Sequence, residues 1–275
     1  MTVRYELVGV PSSGTTPPRW RFGEPGCPLR LAKPPTGLGG APMAHLRQQN
    51  ARQAGASWRG RSDDINIIGL DVHVGPEYIT TGTEALDIHT LWRDSLGRGD
   101  ELGQFIVHTH LGQRWQWVRL EDPMPDVDTA FLEWNKYTRE QVKLTSDQSF
   151  WLSKPVEQTF TVAEFATASL HNKGTVESFV KYELDGPGTF TVGLIDEYHT
   201  LPAIGAGEKW VIETDRDNAY IRNAAGDDVW DTVGVKYWYN PIPPRTDKAL
   251  KLAVTGSTGA TQAKVTLPQM YVRAT

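Results

Sequence analysis

Residues 176–195, VESFVKYELDGPGTFTVGLI, decide the fold class of this chain. Two runs rich in Val, Phe, Tyr and Thr alternate apolar and polar residues, as strands with one buried face do, and DGPG separates them as a turn. The pattern recurs at roughly ten-residue spacing from residue 159 onward, without a helix. The predicted strands are TFTVAEF, VESFVKYEL, TFTVGLI, KWVIETD, AYIRN, VKYWY, ALKLAVTG and AKVTLPQMYV. Such a series is typical of a β-sandwich or barrel.

The chain before this region mixes strands with one helix. The sequence predicts a helix over residues 83–97, in which Thr83 is the N-cap and Gly97 ends the helix in a left-handed conformation. Ala85, Ile88, Leu91 and Trp92 would form its apolar face. Strands are predicted at residues 3–10, 65–74, 104–110, 114–120 and 140–152. The change of pattern near Lys154 predicts two domains, residues 1–155 and 156–275.

Composition excludes several classes of protein. The chain has 275 residues, 39% of them hydrophobic and 22% charged, which argues against wholesale disorder. Its net charge of −5 excludes a basic footprint for nucleic acid over the whole chain. The single cysteine, Cys27, cannot form an intrachain disulfide, and MTVRYELVGV lacks the layout of a signal peptide. We therefore expect that the chain is made and kept in a reducing compartment, or that it matures without secretion.

Charge is distributed unevenly along the chain. Residues 1–62 contain two acids, Glu6 and Glu24, against nine basic residues. The stretch from residue 11 to 60 is dense in Pro and Gly and is predicted to be a long loop. Such a basic loop needs an acidic partner such as a neighbouring subunit, nucleic acid or a lipid surface, or its arginines cover the chain's own acids. The nine basic residues are Arg4, Arg19, Arg21, Arg30, Lys33, Arg47, Arg52, Arg59 and Arg61.

Several groups of residues have the composition of a reactive site, but their spacing does not support one. His108 and His110, two apart on a predicted strand, could ligate a metal with His89. Carboxylates that are adjacent on a strand point to opposite faces and cannot share a substrate. We therefore predict no catalytic, cofactor-binding or metal-binding residues, no cofactor and no enzymatic activity. The other groups considered are Cys27 and the pairs Glu121–Asp122 and Asp196–Glu197. A further group is similar to a calcium loop but lacks the glycine of that loop, so its members are predicted to be turn residues: Asp215, Asp217, Asn218, Asp227 and Asp228.

Aromatic residues offer a second possible site. Trp115 and Trp117 share one face of a predicted strand, and further aromatic residues lie in the second half: Trp210, Trp230, Trp238 and Tyr239. An exposed aromatic platform could stack on sugar rings, whereas core or subunit-interface anchors would be buried. Exposure of Trp210, Trp230 or Trp238 separates a sugar-binding protein from a scaffold.

Three segments of the second half carry a family resemblance. Residues 172–192, NKGTVESFVKYELDGPGTFTV, resemble the N-x-G and G-P segment of long-tailed phage tail proteins. Residues 205–215, GAGEKWVIETD, are similar to a strand segment of that group, with Glu213 in place of the usual Asp. NPIPP at 240–244 and the closing hairpin at 249–273 are also similar, although Arg245 replaces the common Gly.

The first half shows the order of segments expected of the same family. YELVGV, the basic loop, GASWRGR, INIIGLDVHV, a short helix, FIVHTHLGQRWQWVRL and QVKLTSDQSFWL follow one another as in siphophage distal tail (Dit-like) or minor tail proteins. This resemblance covers nearly the whole chain. It implies a mainly β protein, with a β-barrel-like N-terminal domain containing one short helix and a galectin-like antiparallel β-sandwich at the C-terminus.

The resemblance implies a structural function in the virion. The N-terminal domain would form a six-fold ring at the tail tip, joining the tail tube to the baseplate hub and host-attachment parts, with synthesis in the host cytoplasm. DNA would pass through the lumen without specific binding, and no membrane is involved. Most of the nine basic residues are then predicted to lie in subunit interfaces, because a lumen that bound phosphates would retard ejection. The alternatives are a carbohydrate-binding attachment module and, less supported, a depolymerase or glycosidase.

Overall fold

The computed structural model describes residues 3–11, 15–75, 79–234 and 236–275. The chain divides into two compact units. The first runs to Leu152 and includes Val272–Thr275, and the second is Ser153–Tyr271. Within the described residues, no helix is both long and apolar enough to cross a membrane.

The first unit is built mainly from antiparallel strands. β1, β2, β7 and β8 form one sheet in the order β2-β1-β7-β8, and β3, β6 and β9 form another in the order β3-β6-β9. The two sheets meet where Arg119 and Leu120 of β8 pair with Thr145 and Leu144 of β9. In chain order the elements are β1 (Arg4–Val8), β2 (Arg19–Arg21), β3 (Leu29–Leu31), β4 (Met43–Gln48), β5 (Ser57–Asp63), β6 (Asn66–Val74), α1 (Gly82–Ser95), β7 (Gly103–Thr109), β8 (Gly112–Leu120), α2 (Thr129–Asn135) and β9 (Thr138–Ser146).

Alternating apolar residues place one face of these sheets in a core. Leu7, Phe105 and Val107 are buried on β1 and β7. Helix α1 adds Trp92, whose ring meets those of Trp20 and Phe22 edge-on at centroid distances of 6.0 and 6.2 Å. The helix is therefore fixed to the strands by an aromatic cluster.

The N-cap and the buried face of the helix differ from the prediction. Its N-cap is Thr81 rather than Thr83, because the Thr81 hydroxyl accepts the backbone N–H of Glu84. Its buried residues are Ala85, His89, Trp92 and Ser95, while Leu91 is exposed. Polar side chains occupy the buried stripe because each has a buried partner. Gly97 follows the helix with a φ of +69°, the left-handed conformation predicted for it.

Two other predictions for the first unit were wrong, and one helix was missed. Residues 43–63 are a β-hairpin and not part of a long loop. The predicted strand 140–152 is two strands, since β9 ends at Ser146 and β10 (Trp151–Thr161) begins five residues later. Helix α2 was not predicted, although Asp128 is a favourable N-cap and its carboxylate accepts the backbone N–H of Phe131 at 3.0 Å.

The second unit is a sandwich of two antiparallel sheets. Their strand orders are β10-β18-β12-β15-β16 and β11-β17-β13-β14. After β10 its elements are a 3₁₀ helix (Val162–Thr167), β11 (Ser169–Asn172), β12 (Lys181–Asp185), β13 (Gly188–Leu194), β14 (Glu197–Ile204), β15 (Lys209–Glu213), β16 (Tyr220–Asn223), α3 (Trp230–Val233), β17 (Thr246–Thr255) and β18 (Gln262–Tyr271). Tyr182 and Leu184 from one sheet and Phe190 and Val192 from the other belong to one buried core.

The predicted class is confirmed, since the chain is mainly β and its sheets are antiparallel. The described strands do not close into a complete barrel. Three segments depart from the prediction, of which VESFVKYEL is a strand only from Lys181 onward. TFTVAEF turns into the 3₁₀ helix, because the Glu164 carboxylate accepts both the backbone N–H and the hydroxyl of Thr161. VKYWY forms no strand over Lys236–Tyr239, and Val235 lies outside the described residues. Strands β11 and β14 were missed.

Candidate assembly surface

The most exposed regular structure in the first unit is the hairpin of β4 and β5, residues 43–63, called the hairpin arm below. In the described structure its strands pair with each other and with no other strand. Every residue of β4 is exposed, including Met43 and Leu46, and Trp58 of β5 is 66% exposed. An isolated two-stranded hairpin is marginally stable in water, so this arm lacks the burial that normally stabilises such a structure.

One face of the hairpin arm combines aromatic and cationic side chains. His45 lies opposite Arg61 and Arg47 lies opposite Trp58. The Trp58 indole N–H donates to His45 Nδ1 at 3.3 Å, which holds the two rings on one face. Trp and Arg are the residues most enriched at the energetic centres of protein interfaces. The composition of this face is therefore that of a contact surface.

The arm is also basic. It contains four arginines against one acid, Asp63. Arg61 pairs with Asp63 and Arg59 donates to Gln48 at 2.8 Å. Arg47 and Arg52 are exposed and form no ion pair with any residue in the described part of the chain. The arm thus presents positive charge that the described part of the chain does not neutralise.

Basic residues before the arm are neutralised locally. Glu6 is buried and pairs with Arg19 at 2.9 Å and with Arg21 at 3.7 Å. Arg4 pairs with Glu24 at 3.0 Å. For these arginines the structure favours the alternative in which the basic residues cover the chain's own acids. The early basic segment therefore contains two populations that its sequence does not distinguish.

Two further buried carboxylates stabilise the unit. Arg139 donates two hydrogen bonds, of 2.7 and 2.6 Å, to Asp71. These bonds outweigh the opposing effect of burial and, with Lys33, lower the pKa of Asp71 to about 2. Asp71 is consequently ionised throughout the neutral range, and Lys33 is another early basic residue with an internal partner.

Glu140 is the second of these carboxylates. It accepts from His89 Nε2 at 2.8 Å, from the Trp92 indole at 2.9 Å and from Arg93 at 2.6 Å. Burial acts to raise the pKa of Glu140, but the hydrogen bonds from His89 and Arg93 lower it overall. His89 therefore orders α1 against β9 and does not join the other histidines of the predicted metal group.

The remaining histidines are also separated. His108 contacts Glu6 Oε2 at 3.1 Å. β7 ends at Thr109, so His110 lies in the turn after the strand rather than on the same strand face as His108. Over the described residues, no three His, Cys, Asp or Glu side chains are grouped so that they could hold a metal ion.

The acidic groups considered from sequence have local roles. Asp215 accepts the backbone N–H of Asp217, and Asp228 accepts that of Trp230, which are turn contacts. Asp122 pairs with Lys143 and Asp196 with Lys248. Glu197 accepts the backbone N–H groups of Tyr239 and Asn240, and Asp227 accepts a hydrogen bond from the Asn223 side-chain amide. Burial raises the pKa of the Cys27 thiol.

Tryptophans of the second unit divide into core and surface. Trp210 and Trp238 are buried, and the Trp238 indole donates to the Val192 carbonyl at 3.1 Å. By the criterion of exposure these two are core residues. Trp230 is half-buried beside Tyr237, with ring centroids 5.1 Å apart, and Tyr239 next to it is exposed. In the first unit Trp117 is 42% exposed and Trp115 is half-buried.

A second exposed aromatic surface in the first unit lies on α2. Phe131 and Trp134, one turn apart on the helix, are 50% and 84% exposed. Beside Phe131 is a cavity of about 560 Å³. The cavity is lined by residues including Arg93, Asp126, Val127, Phe131, Arg139 and Gln141. The sequence signals that could have located this surface are the Asp128 cap and the helix-forming run that follows it.

Comparisons with known proteins relate this fold to phage tails. The SPP1 Dit protein (gp 19.1), described as a paradigm of the hub adsorption apparatus in phages infecting Gram-positive hosts, matches with a TM-score of 0.63 and 10% identity. The match covers 88% of this chain and 93% of that one. A chain of the phage P2 baseplate in its activated conformation with Ca matches with a TM-score of 0.57 and 10% identity, over 98% of both chains.

The P2 baseplate with Sr gives a TM-score of 0.55, also at 10% identity and over 98% of both chains. No family model and no characterised protein sequence matches the chain. At 10% identity the likeness concerns the fold. The predicted resemblance is confirmed at that level: this chain has the fold of the phage Dit and baseplate structures.

Proposed function

We propose that this chain is a structural protein of the tail tip of a long-tailed phage. In this proposal its first unit assembles into a six-fold ring that joins the tail tube to the baseplate hub. The second unit faces outward and contacts host-attachment parts. DNA passes through the ring without specific binding, and the protein catalyses no reaction.

The hairpin arm carries this proposal. It exposes Trp58 and Leu46, together with Arg47 and Arg52, which have no ion pair within the described part of the chain. Burying apolar surface contributes about 25 cal/mol per Å², so side chains that are exposed in one copy become a source of binding energy between copies. A closed ring requires two different surfaces on each subunit, and a projecting arm supplies one of them. Similarity to Dit and baseplate folds supports the same role.

The test is the presence and assembly state of the full-length protein. We expect to detect it by mass spectrometry in purified virions of the phage that encodes it, and to find six copies per ring by native mass spectrometry and electron microscopy. A variant in which a short Gly-Ser linker replaces residues 44–62 is expected to fold but not to form rings. Absence of the protein from purified particles would refute the proposal.

A second candidate function is carbohydrate binding by the second unit. Trp230, Tyr237 and Tyr239 form a cluster of rings of which two are exposed. Aromatic faces of this kind stack on sugar rings. A glycan array probed with the full chain tests this function. Binding that is lost in Tyr237→Ala and Tyr239→Ala would establish it, whereas binding that survives both changes would exclude this cluster as the site.

A further inference from the structure

The basic hairpin arm would bind a surface of opposite charge, and the first unit contains an acidic surface. Residues 121–135 include five acids and no Lys or Arg. Asp126 and Glu133 are exposed and have no ion pair with another described residue. Phe131 and Trp134 together add exposed aromatic area. We call these four residues the α2 surface.

The α2 surface borders a cavity with room for a bulky side chain. The cavity beside Phe131 has a volume of about 560 Å³, and the exposed residue Asp126 is part of its lining. Interfaces commonly place a Trp or Tyr of one partner in such a pocket, with charged residues at the rim. Trp58 is the exposed aromatic residue of the arm, and Arg47 lies opposite it on the same face.

We propose that in the assembled ring the hairpin arm of one copy docks on the α2 surface of the next copy, with Trp58 in the cavity and Arg47 and Arg52 facing Asp126 and Glu133. This inference rests on the proposed ring. The two surfaces differ and belong to the same chain, so the contact is head-to-tail and repeats around a closed ring. Opposite charges steer the encounter and fix the register of the contact.

The decisive experiment reverses charge on each side and then mixes the products. R47E/R52E makes the arm acidic, and D126K/E133K makes the α2 surface basic. Each variant alone brings like charges together, and we expect its self-association to weaken roughly tenfold or more by mass photometry. An equimolar mixture restores opposite charges at every contact, so we expect rings in which the two variants alternate and the copy number is even.

Matched controls carry the same changes of charge elsewhere. K154E/K173E equals the first variant in net charge, and D217K/D231K equals the second. All four positions are exposed and have no ion pair in the described part of the chain. Both controls are expected to associate like the unmodified protein, because their changes lie outside the proposed contact.

A second measurement identifies the contact without relying on affinity. Trp58→p-benzoylphenylalanine in the full chain is illuminated at a concentration at which the protein associates, and the linked peptides are mapped. Links from position 58 to residues 121–141 of another copy support the docking. Links to a different segment, or to a different tail protein in virions, overturn it.

The outcomes separate this inference from the proposed function. The docking is overturned if R47E/R52E alone forms rings as the unmodified protein does, or if the two variants fail to assemble when they are mixed. Either result leaves the tail-tip role intact. A protein that neither associates nor occurs in virions overturns both.

Discussion

The hairpin arm and the C-terminal sandwich are both antiparallel β structure, but they differ in how far their apolar side chains are shielded from solvent. In the sandwich, Tyr182, Leu184, Phe190 and Val192 are shielded by a second sheet of the same chain. In the arm, Trp58 and Leu46 remain in solvent. Strand pairing alone therefore does not show whether the apolar side chains of a hairpin or sheet are shielded from solvent. Burial within the chain does.

The largest expected effect is in the sandwich core. Phe190→Ala removes a ring that is fully buried, so we expect the free energy of unfolding of the second unit to fall by roughly 3–5 kcal/mol. Urea denaturation measures this change. Ile195→Ala, at an exposed position of the same unit, is the control and should change stability by less than about 1 kcal/mol. Equal effects at the two positions would contradict the contrast.

A buried carboxylate should have the next largest effect. Glu140→Gln leaves His89 and Arg93 without their anionic partner, and we expect a loss of roughly 3 kcal/mol from the stability of the first unit. Glu133→Gln, at an exposed position without an ion pair among described residues, should stay within about 0.5 kcal/mol of the unmodified protein. If Glu140→Gln left the stability of the first unit unchanged, the cluster around this carboxylate would not be what fixes α1.

Acid should weaken the first unit through Asp71. Its pKa is about 2 in the folded protein and about 3.9 in an unfolded chain, so the unfolded state takes up protons first as the pH falls. The resulting contribution, roughly 2–3 kcal/mol, is fully present above about pH 5 and is lost progressively towards pH 2.

Unfolding curves recorded at a series of pH values test this contribution. Asp71→Asn should flatten the acid limb, because position 71 no longer titrates. Asp63→Asn in the hairpin arm is the matched control for the change of charge. An acid limb that persists in Asp71→Asn would assign the effect to other carboxylates.

The smallest effect on stability is expected in the arm. Trp58→Ala should change the unfolding free energy of the isolated protein by no more than about 0.5 kcal/mol, because the ring buries little area within its own chain. Thermal denaturation of the monomer measures this. A loss above about 2 kcal/mol would show that Trp58 packs inside the chain, and the contrast with the sandwich would then fail.

Prediction from sequence succeeded where the hydrophobic period was clear. Strands β6, β7, β8, β13, β15 and β18 lie close to their predicted positions, since each combines alternation with a flanking turn. It failed in the arm, because β4 and β5 have no buried face and hence no period to detect. It failed at Thr161–Glu164 because a local side-chain contact replaced strand pairing there.

The candidate site was less predictable than the fold. The uneven distribution of charge along the sequence identified the early basic segment but could not show which arginines have internal partners. The carboxylates Glu6 and Asp71 meet their arginine partners through strand pairing and packing. The α2 surface was missed because a short amphipathic helix at the protein surface gives a weak periodic signal.

By itself, the sequence determined the mainly β class, the change of pattern near residue 155 and the excess of positive charge before residue 62. These depend on composition and on the two-residue period of strands, which are local properties. Tertiary structure alone decided which charges are neutralised, which tryptophans are core residues, and that residues 43–63 project as an unburied arm. These depend on which distant residues come into contact, and a local pattern does not contain that information.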